Sequence, residues 1–324
     1  MKTKLIAFAI SLLFVVGACV AQSDKEVQDV VRQRVEVDKV NQSIAVAFID
    51  ENGTRFFSAG KMSAAADAKN TDENTVFEIG SITKVFTGIL LAEAIKRGEV
   101  ELDGPISKYL PNTVKTPTRN GKEITLLDLT THTSGLPSLP TNFKPANNDN
   151  PYADYTVQQM YDFLSGYTLT RDIGATYSYS NLGVGLLGHI LALRAGMSYE
   201  DLVRKRILDP LGMKDTTIVL SPAMRARTAQ GFTADGDPTS LWDLPTFAGA
   251  GAIRSTAKDM AKFISANMHL TKTDLAGVID VSHKPQRDAS AKMKVALGAH
   301  FGGFDRRYYL AQRRHGRLSH LCRL

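Results

Sequence analysis

The residues best suited to chemistry in this 324-residue sequence are a serine and a lysine three positions apart, Ser81 and Lys84. Apolar residues recur at helical spacing from Ser81 to Arg97, so the pair is predicted to lie about one turn apart on one helix face. A serine hydroxyl is a poor nucleophile until a neighbour takes its proton, and a helix N-terminus favours the developing anion. Ser81 is therefore a candidate nucleophile beside Lys84, although Ser-x-x-Lys is common by chance and serine is a frequent N-cap.

A second candidate group, Tyr179 and Asn181, stands directly before a predicted helix from Leu182 to Ala195. A phenol can act as an acid or a base, and an amide can orient that phenol or a substrate carbonyl. The same residues also fit a structural role, in which Ser180 or Asn181 caps the helix and Tyr179 packs beneath it. Taken alone, this segment leaves both interpretations open.

Several other polar or aromatic residues are predicted to be structural. His132 is expected to fix the turn before Ser134 rather than to act as a base, and His189 is expected to pack in the middle of a helix. Trp242 and Phe247 are expected in the core rather than in the site. The seven histidines show no spacing typical of metal ligands, so no metal site is predicted.

The net charge of +6 suggests a nucleic-acid partner, but the positions of the charges argue against one. The excess lies at the two ends, in Lys2, Lys4 and the arginines of residues 313–323, so the central part is neutral and has no basic stripe to follow phosphates. The two cysteines, Cys19 and Cys322, are also terminal, so the body offers neither a disulfide framework nor a thiolate metal site.

Residues 1–21 have the three-part pattern of a secretory signal, with a basic start, an apolar run from Leu5 to Val16 and small residues after it. The apolar run is shorter than the roughly 20 residues that span a bilayer. Cleavage after Ala21 is one interpretation, and a bacterial lipoprotein box ending at a lipidated Cys19 is the other. Either predicts an exported protein of the periplasm or cell envelope, in contact with a membrane only through the possible lipid anchor at Cys19.

The body is predicted to open with a β-hairpin, formed by Ser43 to Ile49 and Arg55 to Ser58 around an Asn-Gly turn signal. The helix that begins at Ser81 follows. Near the other end, a helix from Ser255 to Met268, capped by Ser255 or Thr256, precedes a predicted strand from Lys294 to Phe301.

Between these parts, the signals are helical and are separated by polar loops rich in proline and glycine. The predicted helical segments are Leu126 to Thr131, Thr156 to Ser165, Leu182 to Ala195 and Glu200 to Leu208. This order indicates a sheet domain of residues 22–105 and 250–309, interrupted by a helical domain of residues 106–249. The predicted class is α+β.

Together the two candidate groups and the segments around them resemble the penicillin-recognising serine hydrolases. Within that superfamily, the sequence is most similar to class C β-lactamases and their esterase and D-Ala-D-Ala peptidase relatives. The resemblance covers roughly residues 36–303, in family order. The segments that carry it are 77–84, 102–106, 131–136, 179–181, 207–213 and 249–256.

The resemblance implies a β-lactamase/transpeptidase-like fold, an antiparallel sheet flanked by helices with an inserted all-helical domain and the active site between them. Ser81 would attack a β-lactam carbonyl, with Lys84 and Tyr179 sharing proton transfer and Asn181 holding Lys84 and the substrate amide. No cofactor is implied. The expected partner of this monomer is a small β-lactam, ester or peptidoglycan-like substrate. The alternatives are a carboxylesterase, a D-Ala-D-Ala carboxypeptidase, or an inactive envelope protein that binds such a ligand.

The family's third motif, a strand carrying Lys-Thr-Gly or His-x-Gly that faces the serine, does not stand in this sequence. At the expected place, residues 310–324 form a basic tail that is predicted to be a poor strand, so the C-terminal strands are expected to be missing. With permitted codons, the same string shifted by one base encodes W-H-N-G-G-T-A-G-Y-R-T-Y-V-G, which contains a motif of the expected type. We therefore expect that a frameshift produced the tail and that activity is impaired; the alternative is a divergent basic tail.

Overall fold

The computed structural model describes most of residues 23–323, and the predicted export signal with Cys19 lies outside the described residues. The described ranges are 23–50, 52–233, 235–298, 300–302, 309–314 and 317–323. Helices and antiparallel strands occur together along these ranges, which confirms the predicted α+β class.

Ten α-helices lie in the described ranges. They are α1 Asp24–Arg32, α2 Thr83–Lys96, α3 Leu126–Thr130, α4 Val157–Gly166, α5 Asn181–Ala195, α6 Tyr199–Val203, α7 Pro222–Arg225, α8 Ala248–Gly251, α9 Ala257–Asn267 and α10 Ala276–His283. Helices α1 and α6 continue as π-helical turns over Gln33–Val37 and Arg204–Leu208. Two 3-10 turns lie at Gly80–Ile82, leading into α2, and at Ile106–Lys108.

The strands pair antiparallel in small sheets. They are β1 Ser43–Asp50, β2 Gly53–Gly60, β3 Val76–Glu78, β4 Thr118–Arg119, β5 Lys122–Glu123, β6 Gly231–Phe232, β7 Pro238–Thr239, β8 Arg254–Thr256, β9 Arg287–Ser290, β10 Met293–Val295, β11 His300–Gly302, β12 Tyr309–Arg314 and β13 Arg317–Arg323. The pairs are β1 with β2, β3 with β8, β4 with β5, β6 with β7 and β12 with β13, and β10 lies between β9 and β11. The antiparallel pairing is the predicted one.

The N-terminal hairpin forms as predicted, but a helix precedes it. Strands β1 and β2 pair along their whole length, and Gly53 has a φ of +115° where the second strand begins. Helix α1 begins at a capping box formed by Ser23 and Glu26, a sequence signal that the prediction did not use. The helix packs Val31 against Phe57 of β2, so the hairpin is covered on that face.

Helix α2 is buried on nearly every side, and the nucleophile candidate Ser81 lies in the 3-10 turn just before it. A helix that is apolar all round must lie inside the protein, and α5, α8 and α10 all contact α2. The closest approach is at Gly88, where an added Cβ atom would stand 1.8 Å from the carbonyl oxygen of Leu297. Only glycine allows this packing.

The predicted helical segments correspond to α3, α4, α5 and α6 with its π-helical continuation. Each begins at a polar N-cap, which are Thr125, Thr156, Ser180 and Ser198. The hairpins β4–β5 and β6–β7 also lie in this stretch, where little strand signal was found, because strands of two residues are too short to show alternation. The domain boundaries near residues 106 and 249 stay a prediction.

Helix α9 follows its N-cap Thr256, one of the two predicted caps. The single strand predicted from Lys294 to Phe301 is wrong, because the chain reverses at Gly298, whose φ is +74°. Strands β10 and β11 then pair with each other across this turn. The apolar residues on which the strand prediction rested are buried in and beside the turn that packs on α2; they are residues 295–297.

The C-terminal tail was predicted to be a poor strand, and this prediction is wrong for its backbone. The prediction that the family's further C-terminal strands are missing stays a prediction. Residues 309–314 and 317–323 form the antiparallel pair β12–β13. Strand pairing needs only backbone N–H and C=O groups, and every residue of this proline-free tail carries both. Strand β12 lies against the 3-10 turn at Gly80–Ile82.

Candidate active site

Ser81 lies in the 3-10 turn that leads into α2, and Lys84 is in the first turn of that helix. Gly80 has a φ of +51°, so the chain bends sharply just before the serine. The Nζ atom of Lys84 lies 3.0 Å from the Oγ atom of Ser81. The three-residue spacing thus brings the two side chains into hydrogen-bond contact, as predicted.

Tyr179 and Asn181 reach the same place from the start of α5. Ser180 is the N-cap, since its Oγ accepts the backbone N–H of Gly183 at 2.9 Å, and Asn181 is the first helical residue. The hydroxyl of Tyr179 lies 2.6 Å from the Oγ atom of Ser81. The structure therefore brings together all four residues that were selected from the sequence.

Lys84 is fully buried and donates to partners on two other helices. Its Nζ atom lies 2.8 Å from Oδ1 of Asn181 and 2.7 Å from the carbonyl oxygen of Ala250 in α8. Burial lowers the pKa of Lys84 from 10.5 to about 7, because the charged ammonium loses its hydration. At neutral pH this lysine is populated in both its neutral and its charged form.

The pKa of Tyr179 is shifted in the opposite direction, upwards. Burial of its hydroxyl raises the pKa of Tyr179 to about 12, although the hydrogen bond with Ser81 acts in the other direction. The ring also lies beside Lys84, with Nζ 4.9 Å from the ring centroid. Tyr179 is therefore a protonated phenol at neutral pH, and its hydroxyl is in hydrogen-bond contact with Ser81.

A cluster of aromatic side chains lies beside the site. Phe247 is fully buried and stacks on Tyr155 with ring centroids 5.1 Å apart, which confirms its predicted core position. Trp242 lies at the side of Tyr152, with centroids 5.4 Å apart, and Tyr152 is close enough to Tyr179 to contribute to its raised pKa. Tyr152 was missed in the sequence analysis because an isolated tyrosine in a loop has no distinguishing pattern.

The segment with Trp242 is tied to the strands that flank the nucleophile. Its backbone N–H donates to Oε1 of Glu78 at 2.7 Å, and its carbonyl oxygen accepts from Nη2 of Arg254 at 2.7 Å. Glu78 is in β3 and Arg254 is opposite it in β8. These two charged residues, also missed, hold the aromatic segment beside the site.

The two histidines that were predicted to be structural lie as expected. His189 bonds the hydroxyl of Tyr161 at 2.6 Å and packs between α4 and α5. His132 is buried behind Tyr179, with ring centroids 4.6 Å apart. Within the described ranges, no group of three His, Cys, Asp or Glu side chains is placed to hold a metal ion.

The serine at the start of this core helix is hydrogen-bonded to a buried lysine and to a tyrosine. This arrangement is that of a β-lactamase-like serine hydrolase. The sequence profile of the Beta-lactamase family matches residues 27–312, and the chain belongs to that family. This membership confirms the resemblance found in the sequence.

Two curated relatives illustrate the match. The Beta-lactamase of Pseudomonas fluorescens is 32% identical over 255 residues, covering 77% of this chain and 67% of that protein. The D-alanyl-D-alanine-carboxypeptidase/endopeptidase AmpH of Escherichia coli strain K12 is 33% identical over 221 residues, covering 68% of this chain and 56% of that protein. The matched part thus spans between about half and two thirds of these relatives' lengths.

Solved structures agree on the fold. A class C beta lactamase from Rhodobacter sphaeroides superposes with a TM-score of 0.71 at 26% identity, covering 83% of this chain and 73% of that one. A Beta-Lactamase/D-Alanine Carboxypeptidase from Pseudomonas syringae gives a TM-score of 0.75 at 23% identity, covering 88% and 75%. The predicted β-lactamase-like fold is therefore confirmed.

Proposed function

We propose that this chain is a serine hydrolase in which Ser81 attacks a β-lactam carbonyl and forms an acyl-enzyme that water then hydrolyses. One observation carries the proposal: the Oγ atom of Ser81 lies 3.0 Å from Nζ of Lys84 and 2.6 Å from the hydroxyl of Tyr179. A nucleophile with a proton acceptor and a proton donor in contact has the parts that acyl transfer needs.

The hydrogen bonds of Lys84 support its role as the proton acceptor. Two of its three partners, Oδ1 of Asn181 and the carbonyl of Ala250, can only accept. In the neutral amine these two partners use both N–H groups, so the lone pair faces Ser81. Lys84 can then take the hydroxyl proton as the bond forms between Oγ and the carbonyl carbon.

Tyr179 is suited to the next proton transfer. Its pKa of about 12 keeps the phenol protonated, and its O–H already lies against Ser81. When the carbon–nitrogen bond of the lactam breaks, Tyr179 gives its proton to the leaving nitrogen, and the proton held by Lys84 restores the phenol. Hydrolysis then runs with water in place of the serine, and Ser81 regains its proton.

The substrate is proposed to be a β-lactam, as the family and the Pseudomonas fluorescens relative favour. A D-Ala-D-Ala peptide is the second candidate, because of the similarity to AmpH. A short-chain ester would use the same residues. An inactive envelope protein that only binds such ligands is the remaining alternative.

Single-turnover assays separate these candidates even where turnover is slow. Intact mass spectrometry after incubation with benzylpenicillin measures acylation, and hydrolysis is followed with a chromogenic cephalosporin, a p-nitrophenyl ester and a D-Ala-D-Ala peptide. We expect a covalent penicillin adduct and fastest hydrolysis of the cephalosporin. Faster turnover of the peptide or ester would reassign the substrate. No adduct and no hydrolysis of any substrate would refute the enzyme proposal.

We also propose that the chain is exported through residues 1–21 to the periplasm or cell envelope and acts there as a monomer. It contacts a membrane only if cleavage leaves a lipidated Cys19, the alternative being cleavage after Ala21. No single helix among the described residues is both long and apolar enough to cross a bilayer; α5 and α6 with its continuation pass that test only as a bent pair. The mass of the processed N-terminus distinguishes cleavage before a lipidated Cys19 from cleavage after Ala21.

A further inference from the structure

The turn that follows α3 contains a buried histidine in an unusual backbone conformation. His132 is 1% exposed and has a φ of +59°, in the left-handed region that residues other than glycine seldom adopt. Such a conformation persists where the surrounding structure holds it, and it is often found at functional sites. The contacts of His132 show what this conformation achieves.

His132 binds the backbone on both sides of Tyr179. Its carbonyl oxygen accepts the N–H of Ser178 at 2.8 Å, and its Nδ1 atom accepts the N–H of Ser180 at 3.1 Å. Because Nδ1 accepts, the imidazole in this arrangement is the neutral tautomer with its proton on Nε2. One residue thus holds the backbone N–H groups of both neighbours of the tyrosine.

The imidazole ring also limits where the tyrosine ring can lie. It packs on Tyr179 with centroids 4.6 Å apart and an interplanar angle of 33°, and meets Tyr177 edge-on at 5.6 Å. The ring of Tyr179 is therefore in contact with both His132 and Lys84.

The turn that contains His132 is stabilised by hydrogen bonds of Asp128. The carbonyl oxygen of Asp128 accepts the N–H of Thr133 at 2.9 Å, and its carboxylate is bonded to Arg287 of β9 at 2.9 Å. Asp128 also closes the capping box of α3 with Thr125. His132 is consequently attached to a rigid support and not to a free loop.

We propose that His132 is a positioning residue that sets the contact between the Tyr179 hydroxyl and Ser81. The inference rests on the proposed role of Tyr179 in proton transfer. A displacement of about 1 Å can cost an enzyme on the order of 10²-fold in rate, so loss of this support slows acylation without removing any reacting group.

Two substitutions that tolerate a positive φ test the proposal. His132→Gly removes the ring and the Nδ1 acceptor, whereas His132→Asn keeps an acceptor oxygen close to the position of Nδ1. We expect the maximal rate of benzylpenicillin acylation to fall ~10²-fold in the glycine variant with little change in the half-saturating concentration, and much less in the asparagine variant. His189→Asn, at a half-buried histidine away from the site, is the matched control and should acylate normally.

The Tyr179→Phe background separates positioning from general damage. If His132 acts through the hydroxyl, His132→Gly has almost no further effect once that hydroxyl is gone. An equal loss in both backgrounds, or normal acylation by His132→Gly alone, would overturn the proposal. If the parent chain forms no adduct, or Tyr179→Phe acylates normally, it is the proposed function that has failed.

Amide hydrogen exchange tests, without any substrate, whether His132 holds the backbone beside Tyr179. We expect the N–H of Ser180 to be protected in the parent chain, to exchange faster in His132→Gly, and to be protected again in His132→Asn. Unchanged protection in the glycine variant, with cooperative thermal melting in all variants, would show that His132 does not hold this segment.

Discussion

The Nζ atom of Lys84 lies 2.7 Å from the carbonyl oxygen of Ala250, which is 166 residues further along the chain. A carbonyl oxygen can only accept a hydrogen bond, so this contact always uses one N–H group of the lysine. Together with Asn181, it turns the remaining bonding position of the amine towards Ser81. The contact also joins α8 to α2, so the packing of these helices orients the amine of Lys84.

Ser81→Ala should abolish acylation, because Ser81 is the group in contact with both Lys84 and Tyr179. Intact mass after benzylpenicillin treatment, followed by peptide mapping, measures this directly. Ser134→Ala is the matched control at a nearby buried serine and should retain most of the adduct. An adduct mapped to any serine other than Ser81 would contradict the assignment.

Acylation should depend on pH through Lys84, whose pKa is lowered to about 7 by burial. In the proposed mechanism the neutral amine is the base, so the acylation rate should rise by about tenfold per pH unit below 7 and level off above it. Single-turnover acylation rates between pH 5 and 9 give the profile. A rate that is constant over this range would mean that Lys84 does not accept the proton.

Asn181→Asp should move that profile to higher pH. The new carboxylate would stand at the position of an oxygen now 2.8 Å from Nζ, and an opposite charge this close stabilises the ammonium. We expect the midpoint to rise by ~1 to 3 pH units, with acylation largely recovered at alkaline pH. A loss of the same size at every pH would instead point to a steric or structural effect.

Tyr179→Phe keeps the ring and its packing on His132 but removes the hydroxyl. We expect acylation or turnover to fall at least ~100-fold, within the usual contribution of a positioned acid or base. Tyr177→Phe, two residues earlier and also beside His132, is the control and should have a small effect. A Tyr179→Phe variant with near-parental rates would leave this residue with a packing role only.

The tail prediction can be tested by replacing residues 310–324 with the shifted-frame sequence that begins W-H-N-G-G-T. Strand β12 lies against the turn of Ser81, where the family's third motif is expected to face the serine. One missing oxyanion donor costs about 10²- to 10³-fold in rate, so the replaced chain should acylate at least ~10²-fold faster. A replacement tail with the order of H-N-G-G-T reversed is the control. Equal rates for all three chains would show that the tail is not what limits activity.

The local part of the site could be predicted from the sequence. Ser81 and Lys84 are three residues apart, and helical periodicity alone places such a pair on one face. Tyr179 and Asn181 precede an apolar run whose cap, Ser180, was also among the candidates. The strand predicted from Lys294 to Phe301 was wrong for a local reason as well. Apolar residues stand on both sides of Gly298, and this pattern does not reveal that the chain reverses there.

Contacts between distant segments were decided only by the tertiary structure. Ser81 and Tyr179 are 98 residues apart, and their contact depends on how α2 packs against α5 and α8. The partner supplied by Ala250 is a backbone carbonyl, which every residue carries, so no side-chain pattern can identify it. The role of His132 could not be predicted either, because it binds the backbone N–H groups of Ser178 and Ser180 beside the tyrosine. Side-chain chemistry and helix spacing can be recognised from local sequence. The lowered pKa of Lys84 comes from burial, and the orientation of Tyr179 comes from its contacts with distant residues, so both depend on how the chain packs.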